Sequence, residues 1–286
     1  MEKKRLGDIC EIVTGATPKT NIKEFWDGDI NWITPAELTE DTYIINESLR
    51  KITTEGVEKT GLKSFPKGTV ILSSRAPIGK VAIAGCEMYC NQGFKNLVCS
   101  KQINNRFLYW YLKGHKEYLN SLGRGATFKE ISKAIVENIE ICLPTLEKQE
   151  KYADILEQCN GIIQIKKGQL RKLDTLVKSR FAEMFGDPIR NPKGWKVVTI
   201  GDIVTEVRYG TSKPAVEGGK YPYLRMNNLT ADGHLDLNDL KYIDISDDEV
   251  EKCVVRKGDV LFNRTNSIDL VGKTAVFDLP DDMVIA

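Results

Sequence analysis

The chain has 286 residues, 41% hydrophobic and 28% charged, with a formal net charge of +1. These proportions fit a globular protein with room for two domains, and they exclude a disordered or fibrous chain. No run of eighteen apolar residues occurs, and "MEKKRLGDICEIVTG" lacks a signal-peptide core, so no membrane span and a cytoplasmic location are expected.

In chain order, the first stretch is dense in turn chemistry ("TGATPKTN", "FPKGT") around short β-branched runs opened by glycine, "GTVILSS" and "KVAIAG". This texture predicts a mainly β domain. Seven scattered cysteines suit a reducing compartment. Cys86 and Cys90 are a close pair with no further ligand to finish a zinc site, so no metal is expected.

Residues 104–122, "NNRFLYWYLKGHKEYLNSL", place Phe107, Leu108, Tyr111, Leu112, Tyr118 and Leu119 on a helical period and predict one helix. After "GRGATF" come a short helix and a strand that stops at Pro144. A long helix then opens at Pro144-Thr145, with Glu147 and Glu150 in its first turns, and ends where Gly186 caps it and Pro188 cannot continue. Residues 145–183 would span roughly 58 Å. A heptad seam runs through Tyr152, Leu156, Cys159, Ile163, Lys166, Leu170, Leu173 and Val177, which calls for a partner helix. Six basic residues from Lys166 to Arg180 line the same helix against one acid, Asp174; the charge alone reads as a solvated face.

Beyond that helix the first half is heard again. "RLGDICEIVTGATPK" matches "TIGDIVTEVRYGTSKP", "INWITPAELTED" matches "YPYLRMNNLTADG", and "FPKGTVILSSRAPIGKVAI" matches "VRKGDVLFNRTNSIDLVGKTAV". The matches keep their order at offsets of 190 to 194 residues, which means two copies of one domain. In this alignment Ala286 falls just before the counterpart of "NQGF", residues 91–94, so the second copy is expected to lack its closing segment. The resulting expectation is an α+β chain: residues 1–143 as the first domain, 144–187 as the spacer helix and 188–286 as a partial second domain.

Catalytic readings fail on particular residues. Gly272, Lys273 and Thr274 imitate the end of a phosphate-binding loop, but the position that loop requires as its first glycine is Ser267. The echo at Gly79-Lys80 has Ser74 there and Val81 in place of threonine. His115 and His234 are the only histidines, in unrelated settings, and Asp281 and Asp282 lack the downstream lysine of a nuclease site. No catalytic residue is assigned.

The paired segments quoted above, with "GRGATFKEISKAIVENIEICLPTLEKQEKYADIL" and "SRFAEMFGDP", resemble the specificity (S) subunit of type I restriction–modification enzymes over essentially the whole chain. The resemblance implies two homologous mainly-β target recognition domains joined by a long coiled-coil spacer helix. It implies that each domain reads one half of a gapped sequence in double-stranded DNA. It also implies docking of methyltransferase (M) subunits, which carry S-adenosylmethionine, and of restriction (R) subunits with ATP and Mg; this chain itself is expected to hold no cofactor.

Groove reading needs polar and basic side chains on loops. In the first copy the candidates are Thr17, Lys19, Thr20, Asn31, Thr34, Ser73, Ser74, Arg75 and Lys80, with Arg124, Thr127 and Lys129 in "GRGATFKE". In the second they are Thr211, Ser212, Lys213, Arg225, Asn227, Asn263, Arg264, Thr265 and Lys273. Trp32 is read as packing rather than as a platform for a base. The competing expectation is a truncated scaffold or recombination-cassette product that binds methyltransferase subunits, or dimerises through its helix, without reading a full target.

Overall fold

Glycine-opened β-branched runs become short strands in both halves, and the turns between them are set by backbone conformations that favour glycine. The computed structural model describes residues 2–75, 77–125, 129–265, 267 and 270–285. The chain divides into two units, the first reaching Met184 and the second starting at Phe185.

The first unit begins with β1 (Glu2–Arg5), α1 (Leu6–Ile9), β2 (Cys10–Thr14), β3 (Trp26–Ile33), β4 (Ile44–Ile45), β5 (Arg50–Ile52) and α2 (Thr54–Thr60). It continues with β6 (Val70–Ser73), β7 (Val81–Ala84), β8 (Tyr89–Cys90) and β9 (Phe94–Cys99). A five-stranded sheet has the order β2-β9-β6-β7-β4, and a three-stranded sheet the order β5-β3-β8. Alternation along β6 and β7 sends Val70, Leu72 and Ile83 into one core with Leu6, Ile9 and Leu97, and Ile71, Ala82 and Ala84 into a second with Ile33, Phe65 and Phe94.

The first core is closed by α3 (Asn105–Gly114), α4 (Lys116–Ser121) and α5 (Lys133–Glu137), whose Leu108, Tyr109, Leu112, Leu119 and Val136 are buried. The single helix expected over 104–122 is two. It breaks at His115, where the backbone leaves the helical region (φ −108°, ψ 27°) and the ring nitrogen Nδ1 bonds the carbonyl of Tyr111. β10 (Glu140–Leu143) pairs with β1 and leads into α6 (Leu146–Phe185), a helix of 40 residues. Gly186 follows in the left-handed region at φ 76°, the conformation that stops a helix with little steric cost in glycine.

The second unit contains β11 (Tyr221–Leu224), β12 (Lys241–Ile243), α7 (Asp247–Cys253), β13 (Val254–Val255), β14 (Val260–Phe262), β15 (Thr274–Val276) and β16 (Met283–Ile285). Its ladders repeat those of the first unit residue for residue. Tyr221, Pro222 and Tyr223 face Ile243, Tyr242 and Lys241, just as Ile30, Asn31 and Trp32 face Ile52, Lys51 and Arg50. Leu224 runs parallel to Ile285 as Ile33 does to Cys90. Val260, Leu261 and Phe262 face Val276, Ala275 and Thr274, as Val70, Ile71 and Leu72 face Ile83, Ala82 and Val81. The ladders that the second unit forms copy those of the first in structure as well as in sequence.

Candidate nucleic-acid interface

The loop after β2 is pressed against β8: a Cβ on Gly15 would lie 1.9 Å from the carbonyl oxygen of Cys90, so only glycine fits there. Two indoles then tether it. Trp32 donates from Nε1 to the carbonyl of Ala16 (3.0 Å) and Trp26 to that of Lys19 (3.2 Å), with their rings edge to face at 5.1 Å. Thr17 donates to Oε1 of Gln92 at 2.6 Å, which ties this loop to the one before β9. Lys19 and Thr20 remain exposed on the tethered loop. The second unit uses the same device: Tyr223, which aligns with Trp32, donates its hydroxyl proton toward the carbonyls of Thr211 and Lys213.

The loop before β9 also holds the turn leaving β6, where the carbonyl of Gly93 accepts from the Ser74 amide at 2.8 Å. Ser73 and Ser74 are enclosed at 0% exposure, which differs from the expectation that they read bases. Ser73 donates from Oγ to the carbonyl of Pro77 (2.7 Å) and accepts from the Lys80 amide (2.8 Å). Ser74 Oγ accepts from the buried Lys95 ammonium at 3.1 Å, and that ammonium also pairs with Glu130 at 3.1 Å. Both serines fasten the turn instead of facing a groove.

Glu130 gathers the basic side of the cluster. Its backbone bridges Arg75 on one side and Arg124 on the other, the latter by two hydrogen bonds of 3.0 and 2.9 Å, and Ile131 donates to the carbonyl of Ser74 at 2.9 Å. Because Lys95 already neutralises the Glu130 carboxylate, that acid does not tie up the arginines. Among the described residues Lys19, Arg75, Arg124 and Lys129 have no carboxylate partner, and Lys19, Arg124 and Lys129 are exposed. Thr127 lies outside the described residues. Gln92, Lys95 and Glu130 were not among the residues expected from the sequence, because a loop glutamine, a strand lysine and an acid 35 residues later carry no local mark of pairing.

Other candidates are used internally. Asn31 accepts from Ser48 and donates to the carbonyl of Asn46; Thr34 caps a short turn with Glu37. Lys80 donates to the carbonyl of Pro35 (3.2 Å) and Lys273 to that of Leu229 (2.9 Å), so each ammonium clamps the turn after the neighbouring strand. Gly79 and Gly272 hold the hairpin turns before β7 and β15 at φ 91° and 87°, with amides donating to the carbonyls of Ser73 and Asn263. The phosphate-loop imitation is thus a repeated hairpin turn.

In the second unit Lys213 is paired with Glu249 at 2.6 Å and Arg225 with Asp239 at 2.8 Å. Arg264 stacks its guanidinium 4.8 Å from the Tyr209 ring centre, and Asn263 is buried, donating to the carbonyl of Leu270. Thr211 donates its amide to Ile285, and Thr265 its amide to Asn263 Oδ1. Ser212 and Asn227 are exposed. The seam of α6 is uncovered: Tyr152, Leu156, Cys159, Ile163, Leu170, Leu173 and Val177 are all exposed, Val177 to 70%. Among the described residues no group of three metal-ligating side chains is poised for an ion, and no helix is long and apolar enough to cross a membrane.

Residues 1–175 match the family model of the type I restriction modification DNA specificity domain. The type I restriction enzyme MjaIX specificity subunit of Methanocaldococcus jannaschii is 38% identical over 248 residues, covering 79% of this chain and 57% of that protein. The EcoKI specificity subunit of Escherichia coli is 27% identical over 235 residues, covering 75% of this chain and 50% of its own length. The crystal structure of the HsdS subunit from Thermoanaerobacter tengcongensis superposes with a TM-score of 0.45 at 21% identity, over 60% of this chain and 42% of that one. The chain spans about half the length of the curated relatives it matches.

Proposed function

This chain belongs to the family of type I restriction–modification DNA specificity proteins, and from that premise we propose that it is a non-catalytic subunit reading a gapped target in double-stranded DNA. The observation that carries the reading is the loop cluster of the first unit. Among the described residues Lys19, Arg75, Arg124 and Lys129 lack acid partners there, on loops tethered by Trp26, Trp32 and the Lys95–Glu130 pair. Unpaired cations draw phosphates, and a fixed guanidinium can donate two bonds to guanine O6 and N7. Thr17 and Thr20, on the loop that carries Lys19, are further groove contacts in this reading, and Ser212, Asn227 and Arg264 are the groups offered by the second unit.

In this reading α6 is the ruler between half-sites, since half-site spacing is a geometric quantity on a duplex. Its exposed seam receives a helix of a methyltransferase subunit or of a second copy of this chain. The methyltransferase subunits supply S-adenosylmethionine and the chemistry, and restriction subunits join them with ATP and Mg. Selection of duplexes from a random pool by the purified chain, alone and with its methyltransferase subunit, tests this. The expected result is one bipartite motif, with binding that falls steeply with salt; recovery of no motif under either condition sinks the reading.

A second reading, a scaffold that holds methyltransferase subunits without reading a full target, is favoured by one observation: Lys213 and Arg225 are already paired with acids. Capture of the methyltransferase subunit together with selection of only one half-site would support it.

A further inference from the structure

The first half of α6 is fastened to the first unit by polar side chains placed on one face. Gln149 is enclosed; it accepts from the amide of Asn104 (2.8 Å) and donates to the carbonyls of Gln102 (3.2 Å) and Pro144 (2.9 Å). Ala153, one turn on, is also enclosed. Arg106 of α3 then grips the helix with a fork: Nε and Nη2 donate to the two oxygens of Glu157 (2.6 and 2.5 Å), and Nη2 also reaches Asp154 at 2.5 Å. The Tyr43 hydroxyl donates to the same Glu157 carboxylate. Its ring packs on Tyr109 and Trp110, at 4.7 and 6.0 Å between centres. Further along, Gln164 and Lys167 both donate to Asp41, at 2.9 and 3.0 Å.

Two fastenings at different heights fix an axis where one would leave a pivot. The outer one, Lys167 with Asp41, joins two groups that are each about half exposed, and such pairs contribute little. The Arg106 fork is planar, bidentate and more enclosed, so it fixes roll as well as position. On a helix of 3.6 residues per turn these contacts lie about a third of a turn away from the heptad seam, so the docked helix still presents its seam. Beyond Lys167 almost every position of α6 is exposed.

We propose that Tyr43, Arg106, Asp154 and Glu157 form a positioning latch that sets the direction in which α6 leaves the sheets and short helices of the first unit, with Arg106 as the residue that holds it. The DNA consequence rests on the gapped-target reading above: the latch, and not helix length alone, determines which gap between half-sites is accepted. Arg106 touches no base in this role; it acts through Glu157.

The test uses the full chain carrying nitroxide amino acids at Lys59 on α2 and Lys178 near the end of α6. The unsubstituted protein is expected to give one narrow distance distribution. Arg106→Glu places three acids together and should broaden it several-fold, and adding Glu157→Arg should restore it. The milder Glu157→Gln, which keeps the side chain's shape, should broaden it partially while amide exchange in β6 and β9 stays unchanged. A distribution indifferent to Arg106→Glu, or a charge swap that restores nothing, overturns the latch. Selection from duplexes of varied gap then reads the DNA consequence: Arg106→Glu should accept several gaps with half-site bases unchanged. Retention of a single gap despite a broadened distance overturns the link to spacing. Failure of the unsubstituted chain to select any gapped motif would count against the DNA reading instead, leaving the distance result to decide the latch.

Discussion

The hairpins β6–β7 and β14–β15 share their register, yet only one of them is covered on both faces. Ile71 and Ala82 are buried in the first unit, and so are their counterparts Leu261 and Ala275 in the second. On the other face Val70, Leu72 and Ile83 are 0%, 0% and 6% exposed, whereas Val260, Phe262 and Val276 are 66%, 65% and 55% exposed. In the first unit α3 and α4 cover this face, and β9 and β2 extend the sheet beside β6. Among the described residues β9 has no counterpart in the second unit, and β2 pairs only with β9. Residues 204–208, which align with β2, accordingly form no strand, and Val207 is 66% exposed where Val13 is 8%. The lesson is that turn chemistry and strand composition fix a ladder locally, while burial depends on distant layers.

Truncation at equivalent positions separates the two hairpins most strongly. Leu72→Ala should destabilise the first unit by about 2–5 kcal/mol, because it opens a cavity in a closed core. Phe262→Ala, at the matching position, should cost under about 0.5 kcal/mol. Urea unfolding of both variants checks this, and equal losses would mean that the second face is covered in solution. Next in size, Glu130→Ala leaves the Lys95 ammonium enclosed with Ser74 as its remaining partner, a loss of roughly 1–3 kcal/mol in thermal unfolding. The same contrast extends to DNA. Arg75→Ala should weaken binding by about 1–3 kcal/mol and relax one position of the motif. Lys213→Ala, which removes a cation already paired, should cost less than about 0.5 kcal/mol in the same titration.

The smallest effect concerns pH. The Arg106 fork, followed by the Tyr43 hydroxyl, holds the Glu157 carboxyl below the ordinary carboxylate range. Its folded value is depressed, so the stabilisation is present above the ordinary value of about 4.3 and is lost as pH falls through the lower folded value. Protection factors along residues 146–167, with the intrinsic pH dependence of exchange divided out, should therefore be unchanged from neutral pH down to about 5 and fall only in more acidic solution. A loss of protection already near neutrality would contradict that assignment.

Much of the architecture was legible in the sequence because its signals are local and repeated. The "KG" and "GK" phrases recur since each hairpin needs a glycine with positive φ, at Gly68 and Gly79 and again at Gly258 and Gly272. The long helix announced itself by its acidic first turn, its heptad seam and the glycine at 186. What the sequence concealed is pairing across distance. Nothing near Arg106 points to Glu157, 51 residues later, and nothing near Lys95 points to Glu130. For the same reason polar residues at strand ends resembled groove readers. Ser73, Ser74 and Asn263 are instead buried and bonded to backbone carbonyls, amides and a buried ammonium, because turns must satisfy their own polar groups, while half-buried Lys80 and Lys273 each give one donor to a carbonyl.

The central claim, that this chain directs DNA modification by reading a target, is tested most directly by mapping adenine methylation across a genome in cells with the chain, without it, and with Arg75→Ala. The account predicts a gapped motif that is methylated when the chain is present, lost when it is absent, and altered in one half by the substitution. An identical methylation map in all three would contradict it.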